Sequence, residues 1–442
     1  MNYELILLLL LTLAAAGLLV LALVRSPAFG LGALIIATLL LPIDFAIGSA
    51  RGLNFPFLIA PVLTGAWLFR MVNRRPELPW VRSSSVVPLL LLLLATTIAT
   101  VLGQFKSFPT APAPLRAQIA GACIILFSGG VFLVSAHVLR HISSLQHITY
   151  IFLFAGAFHI APSVLPFVPR LNPSLASNAA LGSLFWTWLL ALSFSLALFN
   201  VQLAPRWRLA LLVLVVFTLY IAFAKNRDWV SGWLPGCIAL LVVAFLRYPR
   251  RTALACLLLL ATALVNHDAI QTLFWTRDQQ YSYLTRLEAA KVLAQLARES
   301  PVAGSGPANY YHYTPLRPIL GWYVHFNSHN NYLDILLQTG LFGLFCLIWF
   351  LTSLASVAVR LQHRAPPGFA RAFVAGALGG LAGTVCAAAL GDWLLPFVYN
   401  VGIKGFGPSV LAWMFFGGLV AMEQVYIKRT VGDDPYECRL PV

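Results

Sequence analysis

Apolar residues run along this chain in long continuous blocks separated by short polar connectors. The blocks are about 18 to 25 residues long, the length at which a helix crosses a hydrocarbon core of about 30 Å. Thirteen segments qualify, near 4–24, 28–45, 54–71, 85–103, 116–138, 147–168, 180–201, 208–224, 230–247, 252–268, 331–359, 368–395 and 409–427. The blocks lack the period-two alternation of a membrane β-barrel. The pattern therefore predicts an all-α polytopic membrane protein of about twelve, or thirteen, transmembrane helices. The pair 4–24 and 28–45 decides the count: thirteen spans put Met1 outside and twelve put it inside. No basic region precedes Leu5, and no small-residue cleavage site follows Val24. The first block reads as a retained helix rather than a signal peptide.

Composition strengthens this picture. Sixty per cent of the 442 residues are hydrophobic and 10% are charged, against about 25% charged in a soluble domain. The net charge of +15 would suit nucleic acid, but its placement argues otherwise. Most basic residues stand in connectors: Arg70/Arg74/Arg75/Arg82, Arg140/His141, Arg206/Arg208, Arg247/Arg250/Arg251, Arg360/Arg364/Arg371 and Lys428/Arg429. Every second connector from residue 70 onward is basic, as the positive-inside rule expects of the cytoplasmic side. The connectors near 104–115, 169–179, 225–230, 266–330 and 396–408 then face outward, which in a bacterium is the periplasm. No CxxC pair occurs among the six cysteines, so neither a zinc site nor a disulfide framework is supported.

One connector differs from the rest. Residues 266–330 form a long, mixed-composition outer loop, and loops of this length are usually functional or disordered. The chain divides into helices over 1–265, this loop over 266–330, the last three spans over 331–427 and a cytoplasmic tail over 428–442.

Three residues in the outward connectors could carry chemistry. Arg227, in Lys225-Asn226-Arg227-Asp228-Trp229, stands where one span leaves the membrane; it is either an interfacial anchor paired with Asp228 or an anion site. Arg286 lies in an amphipathic stretch, Thr285 to Glu299, on the side of Leu287, Ala290, Leu293, Ala294 and Ala297. An arginine there either snorkels, pairs with Asp278, or meets an anionic ligand. His329, in Ser328-His329-Asn330-Asn331, precedes a long apolar helix that Ser328 or Asn330 caps. The positive end of that helix disfavours a charged imidazole, and a neutral ring can take a proton from a hydroxyl. His312 and His325 are nearby competitors. No carboxylate or cysteine stands at metal-site spacing beside these histidines, so no metal is expected. Gly304-Ser305-Gly306 lacks the Lys-Ser/Thr pair of a phosphate-binding loop. Two outward arginines and a histidine suit an anionic lipid-linked substrate, because arginine binds phosphate through paired hydrogen bonds.

These residues also resemble a known family. The run His329-Asn330-x-x-Leu333-x-x-Leu336-x-x-x-Gly340-x-x-Gly343 is similar to the signature of the O-antigen ligase and polymerase superfamily, where it follows a large periplasmic loop and opens a late transmembrane helix. Arg286 matches the arginine of the family's loop helix. Pro301-Val302-Ala303-Gly304-Ser305-Gly306 matches a following Pro-x-x-Gly-x-Gly, and Arg227 matches an arginine at the outer end of an earlier helix. Two departures are that Asn226-Arg227-Asp228 stands where Ser-Arg-Gly is frequent, and that Gln338 replaces an acidic residue.

The resemblance implies a GT-C-like, metal-independent, inverting glycosyltransferase of the bacterial inner membrane, with its active site facing the periplasm. The donor would be an O-antigen glycan on undecaprenyl diphosphate and the acceptor lipid A-core oligosaccharide, with no cofactor and no nucleic-acid partner. Arg227 and Arg286 would hold the diphosphate and His329 would act as general base. Asn330 would support the site, and Tyr310 and Trp322, with Trp275 and Tyr311, are candidates to stack on sugars. The sibling polymerase activity uses the same donor. A flippase of lipid-linked glycans is the alternative of another class, but transporters place ionisable groups near the midplane, and here the candidates stand at the outer rim.

Overall fold

The computed structural model describes residues 26–41, 44–47, 50–73, 80–105, 109–165, 182–266 and 277–426. The expected first span at 4–24, Trp275 and the tail from 428 lie outside these residues. The helices are α1 (Pro27–Leu40), α2 (Phe55–Asn73), α3 (Val86–Leu102), α4 (Leu115–Val138), α5 (Ile142–Val164), α6 (Gly182–Phe199), α7 (Pro205–Tyr220), α8 (Val230–Arg247), α9 (Pro249–Val265), α10 (Arg277–Glu299), α11 (Asn309–Tyr313), α12 (Asn331–Arg364), α13 (Phe369–Leu390) and α14 (Phe406–Tyr426). Strands β1 (Asp44–Ile47) and β2 (Ala50–Asn54) form one antiparallel ribbon. Among the described residues, nine helices are long and apolar enough to cross a membrane, and α1 and α3 are shorter apolar helices.

Each block expected from residue 54 onward is a helix, displaced by a few residues at its ends. Two expectations need correction. The second block, 28–45, is helical only to Leu40, and Asp44 already belongs to β1. Pro42 follows Leu41, and a residue before proline is driven away from helical backbone; Leu41 accordingly sits at φ −124° and ψ 65°. The block 368–395 ends at Leu390, where Gly391 turns extended. That places Asp392 beyond the helix rather than inside it.

Packing centres on α14, which is buried along its length. Its aromatic residues interlock with neighbouring helices: Trp188 stacks on Phe415 and Phe350 on Trp413. The helices α6, α8 and α13 pack as a trio, α4 lies along α14, and α3 lies along α12. By contrast, Leu257, Leu258, Leu259, Leu260 and Leu264 of α9 are exposed. A leucine-covered outer surface is costly in water and natural in a bilayer.

The connectors gather at two ends. At one end Gln424 donates to the Arg82 carbonyl, Arg360 pairs with Glu423 at 3.1 Å, and Arg208 donates to the Ala197 carbonyl. At the other end Asn309 donates to the Gly103 carbonyl, Asn331 to the Leu395 carbonyl, and Asn54 to the Ile403 carbonyl. The connectors rich in arginine thus share one end, and the described part of the long loop lies at the opposite one.

Candidate functional site

The site is built where the long loop meets α12. That helix is broken at Gly340, at φ 71° and ψ −173°, and the loop repairs the break. Leu341 N–H donates to the Pro301 carbonyl at 2.7 Å, while Ser305 N–H and Gly306 N–H donate to the Leu337 and Gln338 carbonyls at 2.8 and 3.0 Å. Backbone groups freed by the break are therefore met by loop backbone, as buried polar groups require. A Cβ on Gly340 would lie 2.0 Å from the Val302 carbonyl oxygen, and one on Gly304 2.5 Å from the Gln338 backbone. Only glycine permits both the approach and the positive φ. The Gln338 side chain accepts the Ala308 amide at 3.3 Å, so this departure from the family pattern has a structural use. Asn309, fully buried, accepts the Ala113 amide and donates to the Ser305 carbonyl, tying the loop to α3 and α4.

The loop helix α10 covers the site from the side. It buries Ala289, Val292, Leu293 and Leu296, and its leucines join Tyr310, Tyr313, Leu337 and Phe397 in one apolar cluster. The expected face was placed differently: Leu293 is buried as expected, but Leu287 and Ala294 are exposed. Burial follows an i, i+3, i+4, i+7 stripe that begins at Ala289, where the cluster can receive it. Arg286 is exposed one turn ahead of that stripe.

The chain then enters α12 through Ser328–Asn331. Asn330 is the cap: its side-chain oxygen accepts the Tyr332 and Leu333 amides at 2.9 and 3.2 Å, and its amide donates to the Ala389 carbonyl. Ser328 instead turns its hydroxyl to Asp334 Oδ1 and the Asn330 carbonyl, at 2.7 and 2.8 Å. Tyr310 donates to the same Asp334 oxygen at 2.5 Å. Tyr310 is buried and stacked on Phe397, so its ring cannot face a sugar. Its role is to hold Asp334 and, through its hydroxyl, the Ser328 amide. Burial, then Asp334, pushes its phenol well above the ordinary range.

These contacts hold His329 in left-handed backbone, φ 48°, half-buried at the head of α12. Its Nδ1 lies 3.3 Å from Asn400 Nδ2, and Asn400 Nδ2 donates to Asp392 Oδ1 at 2.6 Å. Asp392 is buried, and its Oδ2 accepts the Phe397 amide at 2.9 Å. Burial lowers the His329 pKa, Asp392 opposes that shift, and the positive charge of Arg286 adds to it. The imidazole is therefore neutral at neutral pH, and Arg286 acts on it electrostatically. Burial raises the Asp392 carboxyl above the usual carboxylate range.

Arg227 follows a π-helical turn, Ile221–Lys225, and its carbonyl accepts Trp233 Nε1 at 3.0 Å. It is exposed at the same end of the bundle. Its neighbour Trp229 packs edge-on against Trp393, ring centroids 5.8 Å apart, and Trp393 adjoins Asp392. The structure thus brings Arg286 and His329 into electrostatic range; Arg227 stands two residues before Trp229, whose ring packs on Trp393.

Trp322 is 70% exposed at the tip of a tight turn. Tyr311 stacks between Tyr399 and His325, at 4.5 and 5.0 Å. Both competing histidines are engaged, His325 with the Tyr311 carbonyl and His312 with the Tyr399 hydroxyl.

Residues 230–348 match a family model described as O-antigen ligase. Over that segment, about a quarter of its length, the chain is similar to the O-antigen ligase family. The matched segment holds Arg286, His329 and the break in α12 at Gly340; it begins three residues after Arg227 and ends before Asp392 and Asn400. No curated protein matches the chain. Sequence reasoning missed Asp392 and Asn400. A signal existed for Asp392, a lone carboxylate in a stretch read as membrane-embedded, where an ionisable residue is a functional candidate by default. Asn400 carried none.

Proposed function

We propose that this protein is an O-antigen ligase that moves a glycan from undecaprenyl diphosphate to lipid A-core oligosaccharide on the periplasmic face of the inner membrane, within a GT-C-like helical scaffold. One observation carries the reading: a half-buried, neutral imidazole stands at the mouth of a membrane bundle, within the field of an arginine on the loop that closes over it.

The chemistry follows from those groups. The acceptor hydroxyl oxygen attacks the anomeric carbon while the bond to diphosphate breaks, its electron pair leaving with the diphosphate oxygen. Arg227 and Arg286 stabilise the charge that grows there, a task suited to preorganised cations in a partly dry site. His329 takes the hydroxyl proton. Attack opposite the leaving group inverts the anomeric centre. The diphosphate is itself a good leaving group, so the scheme calls for neither metal nor nucleotide.

The test uses purified protein, lipid-linked donor and lipid A-core acceptor without metal or nucleotide. Capped lipopolysaccharide is the expected product; lengthened donor would make the protein a polymerase instead. His329→Asn is the informative variant. Asparagine tolerates left-handed backbone but is no base, so transfer should be lost with donor binding intact. Full activity in that variant removes the base assignment.

A further inference from the structure

Asn400 stands between His329 and Asp392. Its Nδ2 meets Asp392 Oδ1 at 2.6 Å and His329 Nδ1 at 3.3 Å. An amide nitrogen only donates, and its two protons serve both contacts. Asp392 cannot turn away, because its Oδ2 is held by the Phe397 amide and the side chain is buried. While Asp392 is ionised it needs a donor, so Asn400 presents its NH2 group. His329 Nδ1 is then the bare nitrogen and the ring proton sits on Nε2. A sugar hydroxyl arriving at Nε2 meets a donor, not a base.

Protonating Asp392 reverses the arrangement. The acid donates, the amide turns, and Oδ1 takes the junction, accepting from Asp392 and from His329 Nδ1–H together. Nε2 is now bare. We propose that Asn400 is a positioning residue whose amide, turned by the acid form of Asp392, fixes the Nδ1–H tautomer of His329 and presents Nε2 as the base. This inference rests on His329 being the base. In the transfer step the acceptor proton moves to Nε2, the acceptor oxygen bonds the anomeric carbon, and the diphosphate leaves with the electron pair. The imidazolium keeps Nδ1–H on Asn400 Oδ1 and later gives the Nε2 proton to solvent. Asp392 and Asn400 keep theirs throughout.

Burial acts in the direction of the acid form. Burial raises the Asp392 carboxyl, opposed by the Phe397 amide, Asn400 and His329. Arg286 from α10 acts on His329, and Asp334 and Asp392 both act on Tyr310, which sets a second buried carboxylate on this side of the site.

Asp392→Asn decides the matter. Its oxygen keeps the Phe397 amide, so its NH2 faces Asn400 and imitates the acid permanently. Turnover within about threefold of the parent is expected, whereas Asp392→Ala and Asn400→Ala should each lose on the order of 100-fold in kcat with donor KM unchanged, the scale of general-base catalysis. The parent should also lose activity as pH rises and Asp392 ionises, and Asp392→Asn should lack that alkaline limb. If Asp392→Asn is as inactive as Asp392→Ala while keeping the parental Tm, or retains the limb, the relay is overturned. Wild-type turnover in Asn400→Ala overturns it equally. Activity in His329→Asn would remove the base assignment itself; loss there combined with a dead Asp392→Asn removes the relay alone.

Discussion

The charge beside His329 sets the pH range in which its ring can work. Burial and Arg286 both push the imidazole pKa down, and Asp392 pushes it up only when it is ionised. A base works only while neutral, so activity falls as pH drops through that pKa. Removing Arg286 relieves one depressing influence and raises the pKa. Arg286→Ala should therefore move the acid limb of kcat to higher pH, besides lowering turnover through loss of the proposed diphosphate contacts. Arg286→Lys keeps the charge and hence the position of the limb, yet loses the paired hydrogen bonds that a planar guanidinium makes to phosphate. A pH–rate profile of the three proteins separates the two roles; an unmoved limb in Arg286→Ala would mean that the two groups are not coupled. Arg286 and His329 were recognisable as residues before any contact was known. The coupling between them was not, since it depends on how α10 folds back over α12.

At the scale of elements, spans were legible because hydrophobic length alone dictates them, and the ends shifted only where proline or glycine intervened. The break in α12 was half legible. Gly340 and the Pro301–Gly306 run stood out as motifs, but that one serves the other is visible only in the exchange of backbone hydrogen bonds between them. Asn400 was illegible because its meaning lies wholly in two contacts, both distant in sequence or set by a turn. The apolar face of α10 was misplaced because several stripes on a short amphipathic helix fit alternately, and only the cluster around Phe397 selects one. The break yields a sharp contrast. Gly340→Ala sets a Cβ against the Val302 carbonyl at φ 71° and ψ −173°, a region essentially restricted to glycine that costs about 1–3 kcal/mol from backbone alone, with more from the clash. Gly65→Ala, in α2, meets nothing within 4 Å and should stabilise by roughly 0.5–1 kcal/mol. Thermal unfolding in detergent should show Gly340→Ala several degrees below the parent and Gly65→Ala at or above it; equal Tm values would mean that the loop does not dock on the break.

For the whole molecule, the decisive property is that its two ends differ. One gathers Arg82, Arg208, Arg360 and their neighbours; the other holds the loop, His329 and Asp392. The positive-inside rule predicts the first end on the cytoplasmic side; the proposed function needs the loop on the opposite side, where a lipid-linked glycan would be met. The loop end also carries Arg227, Arg286 and Arg317, so charge alone orients the chain only because the opposite end carries more. Geometry supplies a direct check. Trp322 is exposed at the loop tip, and Gln202 lies against Gly368 at the opposite end. A cysteine at position 322 should react with a membrane-impermeant maleimide added to cells with a permeabilised outer membrane. A cysteine at position 202 should react only after the inner membrane is opened. The reverse pattern would turn the molecule over, place His329 in the cytoplasm and exclude ligation on the periplasmic face.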